Sequence, residues 1–202
     1  MRRTKEDAEL TRQLLLESAL KVFSEKGYAD TRLSDVAKEA NVTRGAIYWH
    51  FGNKKELFVA LFKERVDPIL NSVSSIFNED LSPIKKIEKI LQSFFTSMRN
   101  DKHFLENQHL ELTEMKIRKE IPEIEEYMCQ RTEKLSSLLK ELIISGIEKG
   151  EIRKHLDHLS ITIMLGIVMT GFGHIISAHW QDFNRSFNDD EIVDIFLKGI
   201  SA

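Results

Sequence analysis

Cysteine is almost absent from this chain. Cys129 is the single one in 202 residues, which excludes an intrachain disulfide framework and a metal site built on several thiolates. Proline is scarce, with three, and glycine reaches only nine, so low-complexity linkers and long irregular loops have little to be made from. Alternating runs of β-branched residues, the signature of half-buried strands, are missing too. The segment MRRTKEDAELTRQ carries basic residues with no apolar run behind them, so it does not read as a signal peptide, and a cytoplasmic protein is expected. No phosphate-binding glycine loop, G-x-S-x-G or zincin pattern occurs, so neither an enzyme nor a cofactor is expected. His155 and His158 have H-x-x-H spacing and His103 and His109 flank another stretch. Neither pair comes with a third ligand, so no metal is expected.

What the chain does contain is 42% apolar and 30% charged residues, dominated by Leu, Ile, Glu and Lys, which predicts an all-α globular protein. The net charge of −3 conceals an asymmetry. Residues 1–66 hold 13 Lys+Arg against 10 Asp+Glu, a balance of +3, and residues 67–202 hold 16 against 22, a balance of −6. That split points to an anionic partner for the N-terminal part. One run, ITIMLGIVMTGFGHIISA from Ile161 to Ala178, has 18 residues without a formal charge. This is the lower limit for a membrane span, but a helix buried at a large interface has the same pattern. Gly166, Thr170, Gly173 and Ser177, spaced +4, +3 and +4, form one stripe of small side chains that would let another helix approach closely. The interface reading is adopted, with no membrane partner.

Helix signals punctuate the whole length. A first helix is predicted from about Lys5 to Lys26, with Gly27 as its C-terminal cap. Thr31 is placed to cap a second through Ala40, and Asn41 suits a left-handed turn. Thr43 caps a third to Phe51, and Asn53 with Glu56 forms a capping-box pattern for a fourth that Pro68 ends or kinks. Ser82-Pro83 starts a helix to about Arg99. A shorter one is expected over about His103–Lys116, and a long one from Pro122 to Gly150. Asp157 and Asn188 are placed to cap the last two. That is about nine helices, and the second and third have helix-turn-helix organisation.

Residues 14–58, LLLESALKVFSEKGYADTRLSDVAKEANVTRGAIYWHFGNKKELF, resemble the TetR family of bacterial transcriptional regulators. The Ala and Phe of helix 1, the GY turn, the Thr before helix 2, the V-A-x-x-A turn and the Y-x-H-F-x-x-K run are all present in order. TRGAIYWHF is similar to the AcrR-like branch that controls multidrug efflux pumps. Asn41 stands where that family usually has Gly. The resemblance implies an N-terminal three-helix DNA-binding domain, residues 1–52, followed by a helical ligand-binding and dimerisation domain, residues 53–202.

A recognition helix enters the major groove by its N-terminal end, here Thr43, Arg44, Gly45 and Ala46. Arg44 has the fork that matches guanine O6 and N7, and Ala46 can touch a thymine methyl. Thr43, Tyr48 and His50 can donate to phosphate oxygens. Thr31 and Lys54 stand at the starts of helices 2 and 4, where amides and dipole favour an anion. The resemblance carries DNA contact onto Thr43, Arg44, Gly45, Tyr48, His50 and Lys54, with Trp49 as packing or backbone contact. Taken singly, each reads as an ordinary surface or half-buried residue; the constellation is what points to double-stranded DNA.

For an effector, Phe77, Phe94, Phe95, Phe104, Phe172 and Trp180 are available to line an apolar pocket. Glu106, Glu111 and Glu114 can supply a carboxylate, a combination suited to a lipophilic cation. The expected protein is a ligand-responsive repressor. It binds a palindromic operator as a homodimer, through a four-helix bundle of its last two long helices that includes the Gly166, Thr170, Gly173, Ser177 stripe. Alternatives are a regulator that senses a specific metabolite or fatty-acyl ligand and, from another class, a helical membrane-associated or protein-interaction module.

Overall fold

A computed structural model describes residues 4–100, 121–178 and 188–202, and at 66, 69, 170 and 172–178 it describes the backbone alone. Among the described residues the chain forms eight α-helices and no strand. They are α1 (Lys5–Asp30), α2 (Leu33–Glu39), α3 (Arg44–Phe51), α4 (Lys54–Phe77), α5 (Pro83–Asn100), α6 (Pro122–Glu148), α7 (His158–Ala178) and α8 (Asp189–Ile200). The expected helix over 103–116 lies outside the described residues.

The described residues fall into two compact units, one from 4–67 and 121–127, the other from 68–100, 128–178 and 188–202. In the first, α2 packs on both α1 and α3. The apolar faces predicted from spacing supply its core. Leu15, Ala19, Val22 and Phe23 of α1, Val36 and Ala37 of α2 and Leu57, Phe58, Leu61 and Phe62 of α4 are all buried. Phe23 meets Phe58 edge-on at 5.0 Å, and Tyr28 meets Phe58 at 4.9 Å. Burial of each large side chain stabilises the unit by about 1.5–3 kcal/mol.

In the second unit, Ile87, Leu91 and Phe95 of α5, Leu142 and Ile143 of α6, Ile161 and Leu165 of α7 and Val193 and Phe196 of α8 form one core cluster. The end of α6 shows why glycine sits there. Gly150 has φ +73°, its N–H donates to Ile147 O at 3.1 Å, and the Glu151 N–H donates to Gly146 O at 2.9 Å. These two bonds satisfy carbonyls that the helix end would otherwise leave unpaired. Asp157 caps α7 as expected, accepting from the Ser160 N–H at 3.1 Å. That bond is the chief cause holding the Asp157 carboxyl below its usual range.

Gly27 breaks the first helix after Lys26 as expected, with φ 73° and ψ 170°, and a short helical segment follows to Asp30. Two element expectations are corrected. Pro68 does not end α4, which runs through it to Phe77. Thr31 does not cap α2. Arg32 occupies the N-cap position, and the Thr31 hydroxyl turns back to donate to Gly27 O at 2.7 Å.

Candidate nucleic-acid interface

The interface is built on the α2–turn–α3 corner. Asn41 adopts φ 52°, the left-handed conformation that Asn tolerates better than most residues, and the Val42 N–H donates back to Ala37 O at 3.0 Å. The corner therefore closes on the end of α2. Ile47 and Phe51 are buried and hold α3 on its unit. The rest of α3 faces outward. Thr43, Arg44 and Gly45 are exposed and Ala46 and His50 half-buried, while Tyr48 is 47% and Trp49 72% exposed.

Within this surface Arg44 is already ordered. Its Nη2 donates to the Tyr48 hydroxyl oxygen at 3.1 Å, and its guanidinium carbon lies 5.8 Å from the centre of the Tyr48 ring. The phenol keeps its own proton for another acceptor. Trp49 meets His50 edge-on at 4.5 Å. Thr43 occupies the N-cap position of α3 but makes no side-chain capping bond, so its hydroxyl is not engaged with the helix it begins.

Two concavities flank α3. One, of about 490 Å³, is lined by Ala37, Lys38, Asn41, Val42, Thr43 and Ala46. The other, of about 530 Å³, has Lys5 and Ala8 of α1 on one wall and Thr43, Gly45, Ala46 and Trp49 on the other. Thr43 and Ala46 line both, so the first turn of α3 stands as a ridge between two hollows. A ridge of small and polar side chains is what a groove of stacked base edges can receive.

Two of the residues expected here are engaged within the unit. Thr31 is buried, at 2% exposure, with its hydroxyl turned inward, so its side chain is not a surface group at the start of α2. Lys54 donates to Ala29 O at 3.0 Å and Thr31 O at 2.8 Å and sits 4.5 Å from the Tyr28 ring centre. It ties the start of α4 to the end of α1, and partial burial lowers its pKa. Sequence reasoning passed over Thr4, Lys5 and Lys38. The signal for Thr4 was legible as T-x-x-D, since Asp7 N–H donates to Thr4 Oγ1 at 3.1 Å and Thr4 N–H to Asp7 Oδ2 at 3.0 Å. Lys5 and Lys38 carry no local signal; only the fold brings them beside α3.

The residues expected to meet an effector are partly described. Phe77 and Phe94 are half-buried against the core of the second unit and Phe95 is inside it. Phe94 and Phe95 stack edge-on at 5.3 Å. Phe104, Glu106, Glu111, Glu114 and Trp180 lie outside the described residues, as does the side chain of Phe172. Of the small-residue stripe, Gly166 is exposed, with open space where a Cβ would sit. The side chains of Thr170 and Ser177, and the surroundings of Gly173, lie outside the described residues. No helix among the described residues is long and apolar enough to cross a membrane. Among those residues no cluster of His, Cys, Asp and Glu could hold a metal ion.

Comparison with known proteins agrees with this geometry. Residues 15–61 match the family described as bacterial regulatory proteins, tetR family. The probable HTH-type transcriptional regulator ArpR of Pseudomonas putida is 42% identical over 101 residues, 48% of this chain and 47% of that protein. The chain thus spans about half the length of that relative. The uncharacterized HTH-type transcriptional regulator TtgW, also of Pseudomonas putida, is 34% identical over 102 residues, 50% of this chain and 70% of that protein. The fatty acid metabolism regulator protein of Bacillus subtilis (strain 168) is 27% identical over 146 residues, 71% of each. Among solved structures, native NalD, the secondary repressor of the MexAB-OprM multidrug efflux pump in Pseudomonas aeruginosa, superposes with a TM-score of 0.73. It is 21% identical, over 96% of this chain and 98% of that one. With the helix-turn-helix in place and a relative matched over more than two thirds of its length, the chain belongs to the tetR family of bacterial regulatory proteins.

Proposed function

We propose that this protein is a ligand-responsive transcriptional repressor that binds a palindromic operator in double-stranded DNA as a homodimer. Residues 1–52 read the DNA, and residues 53–202 bind the effector and dimerise. The observation that carries the reading is the exposed first turn of α3, with Arg44 held on Tyr48 between two hollows. Arg44 reads a guanine edge, Gly45 and Ala46 let the backbone approach, and Thr43, Tyr48 and His50 bond phosphates. Trp49 adds exposed aromatic surface at the rim. Lys54 acts first as a brace and offers its remaining N–H to the backbone.

Release follows from linkage. An effector that binds better to a conformation whose two recognition helices no longer fit successive major grooves lowers operator affinity by its differential affinity for the two states. The efflux reading draws on the TRGAIYWHF resemblance and on the pump repressor that shares the fold. It makes the effector lipophilic, with a lipophilic cation as its first candidate. The 27% identity to a fatty acid metabolism regulator over 71% of both chains supports a second reading, a fatty-acyl effector.

A mobility-shift assay on a duplex selected by the protein from random sequence tests the core of the proposal. Arg44→Ala is expected to lose sequence preference by about 1–3 kcal/mol at one base position while general DNA affinity changes little. Equal losses on selected and random duplex would sink the base-reading role. Adding lipophilic cations and, separately, long-chain acyl-CoA to the bound complex decides between the two effector classes by which one releases it.

A further inference from the structure

The described lysines of the first unit divide into an engaged and an unengaged set. Lys21 pairs with Glu39 at 2.6 Å, Lys26 with Asp35 at 3.2 Å, Lys55 with Glu123 at 2.5 Å, and Arg12 with Glu9 and Glu64. Lys54 is held by two backbone carbonyls, and Lys63 stands 4.8 Å from the Tyr127 ring centre. Lys5 and Lys38 belong to neither arrangement. Both are exposed, and among the described residues neither ammonium has an ion pair or a hydrogen bond. These two unengaged lysines are also the ones that line the hollows on either side of α3, Lys38 on the α2 side and Lys5 on the α1 side. Two nearby carboxylates are engaged elsewhere: Glu39 is bound to Lys21, and Asp7 closes the Thr4 capping box.

We propose that Lys5 and Lys38 are a pair of phosphate contacts that grip the two backbones flanking the major groove into which α3 inserts. The proposal rests on the DNA-binding reading above and adds to it two residues and a geometry. A helix that enters the groove has one sugar–phosphate backbone on each side, since the groove is only about 12 Å wide. A ridge flanked by two hollows, each lined by one lysine that has no ion pair among the described residues, matches that arrangement. A lysine already bound to a carboxylate would have to break that pair to bind a phosphate. A lysine without a partner only releases the counterions of the DNA, so its contribution to affinity depends on salt.

The test uses the full chain and a short duplex of random sequence, because a phosphate contact carries no sequence information. Binding is followed by fluorescence anisotropy between about 50 and 200 mM salt, and the slope of log Kobs against log salt is read. Lys5→Gln and Lys38→Gln are each expected to flatten the slope by about 0.9 per bound subunit, and the double variant by about twice that. Lys5→Arg and Lys38→Arg keep the wild-type slope. Lys198→Gln, which removes an ammonium paired with Asp194 on α8, also leaves it unchanged. Wild-type slopes in both glutamine variants, with Arg44→Ala still altering sequence preference, overturn the lysine pair and leave the DNA-binding reading standing. A wild-type protein with no salt-dependent affinity for duplex DNA overturns both.

Discussion

Arg44 and Tyr48 stand four residues apart, one turn along α3, which places their side chains together on its outer face. The hydrogen bond from guanidinium to phenol and the ring beneath it restrict a long side chain before any partner arrives. Ordering an arginine on binding costs rotamer entropy, so a pre-positioned fork binds its base at lower cost. That gives Tyr48 a role different from a simple phosphate donor. Tyr48→Phe keeps the ring and removes the hydroxyl. It is expected to weaken binding to a selected operator several-fold while leaving random duplex nearly unaffected. In a double-mutant cycle with Arg44→Ala the coupling should fall at about 0.5–3 kcal/mol, the range for residues in contact. Additive losses, equal on both duplexes, would mean that the hydroxyl serves a phosphate alone. At this scale the sequence was legible for Arg44, Gly45, Ile47 and Phe51, whose types and spacing state their direction. It was not legible for Lys54, whose ammonium is claimed by the carbonyls of Ala29 and Thr31, residues more than twenty positions away in the chain.

At the scale of elements, capping was legible in part: two expected caps form, whereas the side chains of Thr31, Thr43 and Asn188 make no capping bond to the helices that follow. Asn53 accepts from the Glu56 N–H at 2.9 Å and Asp157 from the Ser160 N–H, as residue type and spacing predicted. Pro68 does not end α4, leaving only the kink of the two expected outcomes: loss of one N–H inside a helix of 24 residues does not outweigh the packing of Leu57, Leu61, Val73 and Ile76 on either side. Thr31 misled because a buried hydroxyl seeks the nearest free carbonyl, and the break at Gly27 supplied one. The turn between α2 and α3 carries the clearest elemental prediction. Asn41 holds φ 52° and is exposed, so substitution there tests backbone conformation with little change in packing. Asn41→Gly is expected to be neutral or slightly stabilising. Asn41→Val should cost about 1–2 kcal/mol, the penalty for a left-handed residue with a Cβ, made worse by branching. Urea midpoints at constant m-value measure both. A valine variant as stable as the parent would mean that the turn relaxes to another conformation.

At the scale of the molecule, the described residues of the second unit leave large apolar side chains exposed on α7 and α8. Leu159, Ile163, Met164 and Ile167 on α7 are 50–57% exposed, and Ile195 on α8 is 65% exposed. Leu159, Ile163 and Ile167 lie at successive intervals of four, along one side of α7, with Gly166 and its open space beside them. This is the uncharged run that met the length of a membrane span. Part of it, Ile161 and Leu165, lies in the core with Val168 and Met169 packed against it, while Ile163, Met164 and Ile167 are exposed. Two such faces related by a two-fold axis would bury each other in an isologous contact, the homodimer proposed above for a palindromic operator. Each large apolar side chain removed from water contributes about 1.5–3 kcal/mol, so a few residues per subunit would suffice for the homodimer proposed above. Ile163→Glu places a carboxylate at the middle of that face without touching the buried core. It is expected to give a folded monomer by light scattering, with helical circular dichroism retained. Operator affinity should drop by at least the factor lost when two half-sites are no longer held on one body, while binding to a single half-site persists. A dimer of unchanged mass in this variant would place the subunit contact on another surface and leave the exposed face of α7 and α8 without its partner.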